Sequence, residues 1–339
     1  MMRSSCSVLA AVLTSAVVVF TGCGNDEGSS GSALGADRPT VVVTTNILGG
    51  VVQNLVGDEL RVLTIMPVGS DPHEFQASAQ QVAQIGAAEG LIVNGAGFEE
   101  GLLDVIESAE SDGVPIFEAI STVETITFDS GSHDEHEEDE HEDDEHEDDD
   151  KNEHSDEHDH EGVDPHFFTD PARMALAADG IVAFLIANVD DVDVSALEAN
   201  AASYIARLET LDAEVETLLM AIPPDRRVLI TNHAVFGYFA DRYGFEVAGT
   251  IIPSGSTVDG TNARALVELA ELIEHEDVPA IFADTSSSGE LASTLADEVG
   301  EISVVELYSE SLGPDDSDGA TYLDMVRTNA ERITEALSD

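Results

Sequence analysis

The chain has 339 residues, of which 42% are hydrophobic, and this length suits two globular lobes that each bury a core. Seventy acidic residues against twelve basic ones give a formal net charge of −58 at pH 7. Such a surface repels nucleic acid and anionic lipid headgroups, so we exclude the nucleic-acid-binding proteins as a class.

The first 22 residues are typical of an export signal. Arg3 gives a short positive region, and the apolar run after it is too short for a membrane span of about 20 residues. Small residues precede Cys23, as in bacterial lipoprotein signals, in which that cysteine is lipidated. An ordinary secretory signal with an incidental cysteine is the alternative. We expect residues 23–38 to form a flexible polar tether, and we expect no disulfide, because Cys6 leaves with the signal.

Short apolar runs alternate with helical patterns from Pro39 onward, which predicts βα units and a parallel sheet. The predicted strands of this first lobe are 40–45, 60–66, 90–94 and 114–119, and the predicted helices are 47–57, 78–88 and 99–110.

A low-complexity segment then interrupts the pattern at residues 131–162. Residues 133–161 hold nineteen acidic residues and one lysine, and their repeats of five residues match neither the helix nor the strand period. Dense like charges predict a disordered loop. Two interpretations stay open, an accessory collector or sensor of metal ions and a solvated acidic expansion. The histidines of this loop are His133, His136, His141, His146, His154, His158 and His160.

The alternating pattern resumes with a helix at 170–189, for which Asp170 is the predicted N-cap and Pro171 lies in the first turn. A long helix without glycine or proline follows at 194–222. The second lobe has predicted strands at 227–231, 245–252, 278–284 and 302–308 and predicted helices at 234–243, 262–275, 289–299 and 319–337.

The predicted fold class is therefore α/β, with two βα lobes that have parallel sheets and are joined by one long rigid helix. We place the N-terminal lobe at 39–193, the linking helix at 194–222 and the C-terminal lobe at 223–339. Ligands of open parallel sheets bind beyond the carboxyl ends of the strands, so we expect the site in the cleft between the lobes.

Three histidines outside the acidic loop lie beside predicted elements. His73 and His233 follow predicted strands, and His166 precedes a predicted helix. The triplet Asp-Pro-His occurs at 71–73 and at 164–166, and proline stiffens each turn. Taken singly, each is better explained as a loop histidine with local hydrogen bonds. Taken together, as residues at equivalent strand exits of two lobes, they predict a metal site, because three imidazoles suit Zn²⁺ with its four tetrahedral ligands.

The fourth ligand should be an acidic residue at another strand exit. Asp284 and Glu310 both meet this condition, and position alone does not separate them. His275 lies late in a predicted helix, where it favours the helix C-terminus electrostatically, so we assign it a structural role.

Four stretches together resemble the metal-binding lipoproteins of zinc and manganese ABC uptake transporters: "SDPHEF", "DPHFFTDP", "NHAVFGYFADRYG" and "ELYSESLG" with "TYLDMVRTN" after it. The resemblance covers the chain from about Pro39 to its end. It implies that His73, His166 and His233 bind one metal ion, with Glu310 where many members carry an aspartate. The third position varies between histidine and glutamate in the family, and three histidines favour zinc over manganese. Asp284 would then support the site.

The resemblance implies a monomeric solute-binding protein rather than an enzyme. It would be lipid-anchored through Cys23 to the outer face of the cytoplasmic membrane, capture Zn²⁺ and deliver it to an ABC permease. A manganese-binding homologue and a surface metal-dependent adhesin are the alternatives. A zinc hydrolase is disfavoured, because the chain has no His-Glu-x-x-His motif and no nucleophile or general-base motif beside the histidines.

Overall fold

The computed structural model describes residues 38–128, 162–300 and 302–338. The predicted signal, Cys23 and the tether up to residue 37 lie outside the described residues. The same holds for the seven loop histidines, from His133 to His160.

The first sheet has four parallel strands in the order β2-β1-β3-β4. Both faces of such a sheet are covered, and this explains why its central strands are almost uniformly apolar rather than alternating. The strands are β1 (Thr40–Val43), β2 (Arg61–Thr64), β3 (Gly90–Val93) and β4 (Ile116–Glu118).

The second sheet repeats the first in strand order and direction, as β6-β5-β7-β8. In each sheet the chain reverses its winding between the two central strands, and this reversal opens a crevice at their carboxyl ends. The strands are β5 (Val228–Thr231), β6 (Glu246–Thr250), β7 (Ala280–Asp284) and β8 (Ser303–Leu307).

Every predicted helix and strand is present in the predicted order, and the differences are confined to element ends. The long helix ends three residues before its predicted end, and three other helices begin three or four residues later than predicted. The helices are α1 (Asn46–Val56), α2 (Ala79–Ile85), α3 (Leu103–Ser111), α4 (Pro171–Asn188), α5 (Val194–Leu219), α6 (Gly237–Tyr243), α7 (Ala263–Glu276), α8 (Glu290–Val299) and α9 (Tyr322–Leu337).

The predicted cap of α4 is confirmed. The Asp170 carboxylate accepts hydrogen bonds from the backbone N–H groups of Ala172 at 2.7 Å and Arg173 at 3.3 Å. Pro171 is the first helical residue, where its missing N–H costs nothing. This cap fixes the direction in which the chain enters α4, directly after the second Asp-Pro-His triplet.

One continuous apolar core runs through both lobes. It includes Val43 and Ile92 of the first sheet and Phe282 and Leu307 of the second. Helix α5 has 26 residues and is therefore about 39 Å long, and one face of it is buried along its length. The C-terminal helix α9 packs against α5 and also contacts α1, so the expected single linking helix is in fact accompanied by a second helix.

Candidate metal centre

The two Asp-Pro-His triplets form the same turn. In each, the first aspartate oxygen accepts a hydrogen bond from the histidine backbone N–H at 2.9 Å, in the pairs Asp71–His73 and Asp164–His166. The proline between them cannot donate, so the aspartate closes the turn across it. Both histidines are buried, and each is held by its own triplet.

We expected His166 to lie at a strand exit, as His73 and His233 do, and this expectation is wrong. His166 lies between an isolated antiparallel bridge, Thr127 to Val163, and the start of α4. Its ring Nδ1 contacts Asp164 at 2.7 Å, so the aspartate holds both the backbone and the ring.

The C-terminal lobe supplies His233 and Glu310. His233 follows β5, and its carbonyl accepts a hydrogen bond from the Thr231 hydroxyl at 2.7 Å. Glu310 follows β8, the outer neighbour of β7. Both side chains are completely buried in the cleft.

The structure brings His73, His166, His233 and Glu310 together, with one ligand atom from each lying within 4.8 Å of the others. Glu310 Oε1 lies 2.7 Å from the Nε2 of His73, 3.1 Å from that of His233 and 3.4 Å from that of His166. Ligand atoms around a tetrahedral zinc ion lie roughly 3.3 Å apart, given zinc–ligand distances near 2 Å. The cluster therefore fits a single small metal ion after adjustments of an ångström or so.

The electrostatics of the cluster favour an ionised Glu310 beside two histidines, His73 and His166, whose pKa values are raised. Burial opposes the charge on Glu310, but His233, His73 and His166 lower its pKa well below the usual range. Burial likewise opposes the charge on His73, but Glu310, Glu100 and Asp71 raise its pKa to about 10. A metal ion that took the Nε2 atom of His73 as a ligand would therefore displace a proton.

The other candidates lie apart from the four-residue cluster. Asp284 is buried at the end of β7, and its carboxylate accepts hydrogen bonds from the backbone N–H of Ser286 at 2.9 Å and from its hydroxyl at 2.6 Å. Burial and then the charge of Glu310 raise the pKa of Asp284. His275 is exposed in the last turn of α7, where it pairs with Glu276 at 3.0 Å.

Two residues beside the histidines were missed in the sequence. Phe98 packs its ring against those of His73 and His166, with centroids 5.2 Å and 5.4 Å apart. Glu100 Oε1 lies 3.0 Å from His73 Nδ1. The one sequence feature that could have identified Phe98 and Glu100 is the glycine-rich stretch in which they lie, which has two adjacent acidic residues and follows a buried strand.

The model of the family described as zinc-uptake complex component A, periplasmic, matches residues 41–336 of the chain. The manganese-binding lipoprotein MntA of Halalkalibacterium halodurans is 23% identical over 321 residues, which cover 95% of each chain. The zinc-binding protein TroA of Treponema pallidum is 28% identical over 330 residues, which cover 95% of this chain and 96% of that one.

Solved structures have the same fold. The periplasmic zinc binding protein TroA from Treponema pallidum, at 26% identity, gives a TM-score of 0.74 and covers 89% of this chain and 100% of that one. The Mn-bound periplasmic metal binding protein from Candidatus Liberibacter asiaticus, at 20% identity, gives a TM-score of 0.71 and covers 88% of this chain and 100% of that one.

Proposed function

The chain belongs to the family described as zinc-uptake complex component A, the periplasmic substrate-binding proteins of zinc and manganese ABC transporters, and we propose that its cargo is Zn²⁺. Proteins of this family carry metal ions for transport and are not enzymes. In our proposal His73, His166, His233 and Glu310 bind the ion, and a membrane permease receives it.

The chemistry of the buried cluster carries this proposal. Three imidazole nitrogens and one carboxylate oxygen lie within 4.8 Å of one another. Imidazole and carboxylate are both common zinc ligands, and four is the usual number in closed zinc sites. A second carboxylate in place of the third imidazole would suit Mn²⁺ better. The donor set therefore favours zinc, even though a relative such as MntA is named for manganese.

We also propose that Cys23 carries a lipid anchor that keeps the protein at the outer face of the membrane, beside its permease. The histidines between His133 and His160 would act as an accessory collector of weakly bound ions. Thr127 and Val163 flank this segment and form an antiparallel bridge, and the ring of Phe128 lies 6.2 Å from that of His166. The segment thus leaves and rejoins the described chain beside the cleft.

Growth under zinc chelation tests the cargo. Tight zinc binding alone does not identify it, because almost any site of this kind binds Zn²⁺ more tightly than Mn²⁺. We expect a deletion strain to grow poorly and to contain little zinc, and we expect added zinc or the wild-type chain to restore it. The His233→Ala variant should not restore it. A defect repaired by manganese alone would make manganese the cargo, and normal growth would contradict a role in uptake.

A further inference from the structure

In His73 and His166, the ring nitrogen that faces away from the cleft contacts a carboxylate. The two carboxylates come from different parts of the chain. All three histidines turn Nε2 toward Glu310, so Nδ1 faces away from the cleft centre. His166 Nδ1 contacts Asp164, a residue of its own turn, at 2.7 Å. His73 Nδ1 contacts Glu100, which is 27 residues away in sequence, at 3.0 Å. The support of His73 therefore comes from a second loop.

The second loop, residues 94–100, is held in place by hydrogen bonds to the buried Glu99 carboxylate. The buried Glu99 carboxylate accepts hydrogen bonds from the Asn94 N–H at 2.6 Å and from the Thr44 hydroxyl at 2.6 Å. Ala96 adopts a left-handed conformation, with φ of 51°, between two glycines that also have positive φ. These contacts close the loop on itself and tie it to the end of β1. The backbone at Glu100 is consequently held in one place.

A close backbone approach directly after this loop, at Gly101, brings the chain against the turn that carries His73. Any side chain at Gly101 would collide with the Phe75 carbonyl, so glycine at this position allows the contact. The ring of Phe98 packs edge-on against the His73 ring, at an interplanar angle of 77°. His73 is thus fixed by packing on one side and by a carboxylate at its outer nitrogen.

We propose that Glu100 is a positioning residue that orients His73 and slows the release of the bound ion. A carboxylate that accepts Nδ1–H keeps the proton on that nitrogen, leaves the Nε2 lone pair for the metal and makes it a stronger donor. This inference rests on the proposed function, since it requires His73 to bind the metal. The side chain of Glu100 is 32% exposed, against 2% for Asp164, so replacing it leaves no cavity in the core and chiefly removes the partner of His73 Nδ1.

The test compares Glu100→Ala and Glu100→Gln with the matched control Glu107→Ala, which removes an exposed carboxylate from α3 of the same lobe. Zinc is added to the full-length protein at no more than one equivalent, and a chromophoric chelator competes for it. We expect Glu100→Ala to weaken binding about 10- to 100-fold, mainly through faster release. Glu100→Gln keeps an acceptor but loses the charge, so its effect should be smaller, and Glu107→Ala should bind like the wild type.

Proton NMR of the zinc-bound protein separates positioning from a general loss of charge or stability. The imidazole N–H signal of His73 should disappear or shift in Glu100→Ala and persist in Glu100→Gln, while the signal of His166 persists in both. Wild-type affinity and an unchanged His73 signal in Glu100→Ala would overturn the proposal, and so would an equal loss in Glu107→Ala. If His73→Ala itself keeps tight binding, the assignment of His73 as a ligand fails, and the role of Glu100 fails with it.

Discussion

A single carboxylate oxygen, Glu310 Oε1, lies within 3.4 Å of the Nε2 atoms of three imidazoles, so one side chain joins all three rings of the cluster. Burial would lower the pKa of both His73 and His166, yet nearby carboxylates raise it in each case. A metal ion that bound at the Nε2 atoms of His73 and His166 would therefore have to displace protons.

Proton release on metal binding follows from these shifts. His73 has a pKa of about 10 in the metal-free protein, so it is protonated at neutral pH and loses its proton when a metal binds. Affinity should consequently rise with pH up to about that value. Calorimetric zinc titrations at pH 7.5 in two buffers with different ionisation enthalpies measure the number of protons released. By this linkage we expect about one or more protons per tightly bound ion. Release of no protons would contradict the protonated cluster.

The third imidazole should set the balance between zinc and manganese. Replacing His233 by glutamate exchanges a nitrogen donor for a second carboxylate, which suits Mn²⁺ better than Zn²⁺. We expect His233→Glu to lower the ratio of zinc to manganese affinity by about tenfold or more. The control is His275→Glu, the same chemical change at an exposed position on α7. An unchanged ratio in His233→Glu would argue against His233 as a ligand.

Position along the chain could nominate the three histidines but could not choose between Glu310 and Asp284, and only the family resemblance favoured Glu310. Both acids lie at the carboxyl ends of neighbouring parallel strands, β8 and β7, so position along the chain is equivalent for both. The difference lies in side-chain direction, since Asp284 turns to Ser286 and Glu310 turns to the histidines. The direction in which a side chain points after its strand ends depends on tertiary contacts, and the periodicity of the strand does not predict it.

At the scale of elements, the N-cap of α4 links the second Asp-Pro-His turn to the core. Asp170 is buried, and besides capping the helix it pairs with Arg173 at 2.8 Å. Asp170→Ala should lower the free energy of unfolding by about 1–2 kcal/mol through loss of the cap. Asp170→Asn keeps a capping oxygen and should cost less. Denaturant unfolding of the metal-free protein measures both, and equal losses would show that the ion pair, not the cap, matters.

The stretch 94–102 shows where local sequence patterns stop being informative. A helix is predicted from residue 99, but α3 begins only at Leu103, after a 3₁₀ turn at Glu100–Leu102. The cause is Glu99, which turns inward to Thr44 and Asn94 instead of facing solvent. A buried carboxylate with partners on other elements leaves no periodic signal.

At the scale of the whole molecule, the lobes share a core and are also joined across the cleft. The Thr257 hydroxyl donates to Asp71 at 2.7 Å, and the Leu312 N–H donates to the Asn46 side chain at 2.7 Å. Helices α5 and α9 pack against each other. Large relative rotation of the lobes would break the shared core, whereas small shifts of packed elements would not.

We therefore expect a modest closure when the metal binds. Crystal structures of the metal-free and zinc-bound protein, superposed on the first sheet, should show a small displacement of the second sheet. Changes should concentrate in the loops that carry His73 and Thr257 and in the Asp71–Thr257 hydrogen bond. A wide hinge rotation that separates α5 from α9 would contradict this expectation.

Zinc titration tests most directly whether the four-residue cluster is the working site. It compares the full-length protein with a shortened chain in which a short glycine-serine link replaces residues 131–162. Because Thr127 and Val163 are already bridged, the shortened chain can close without disturbing His166. We predict that the shortened chain loses weak extra sites, keeps one tight site and loses that site on His73→Ala. Loss of the tight site on shortening alone would contradict the assignment to His73, His166, His233 and Glu310.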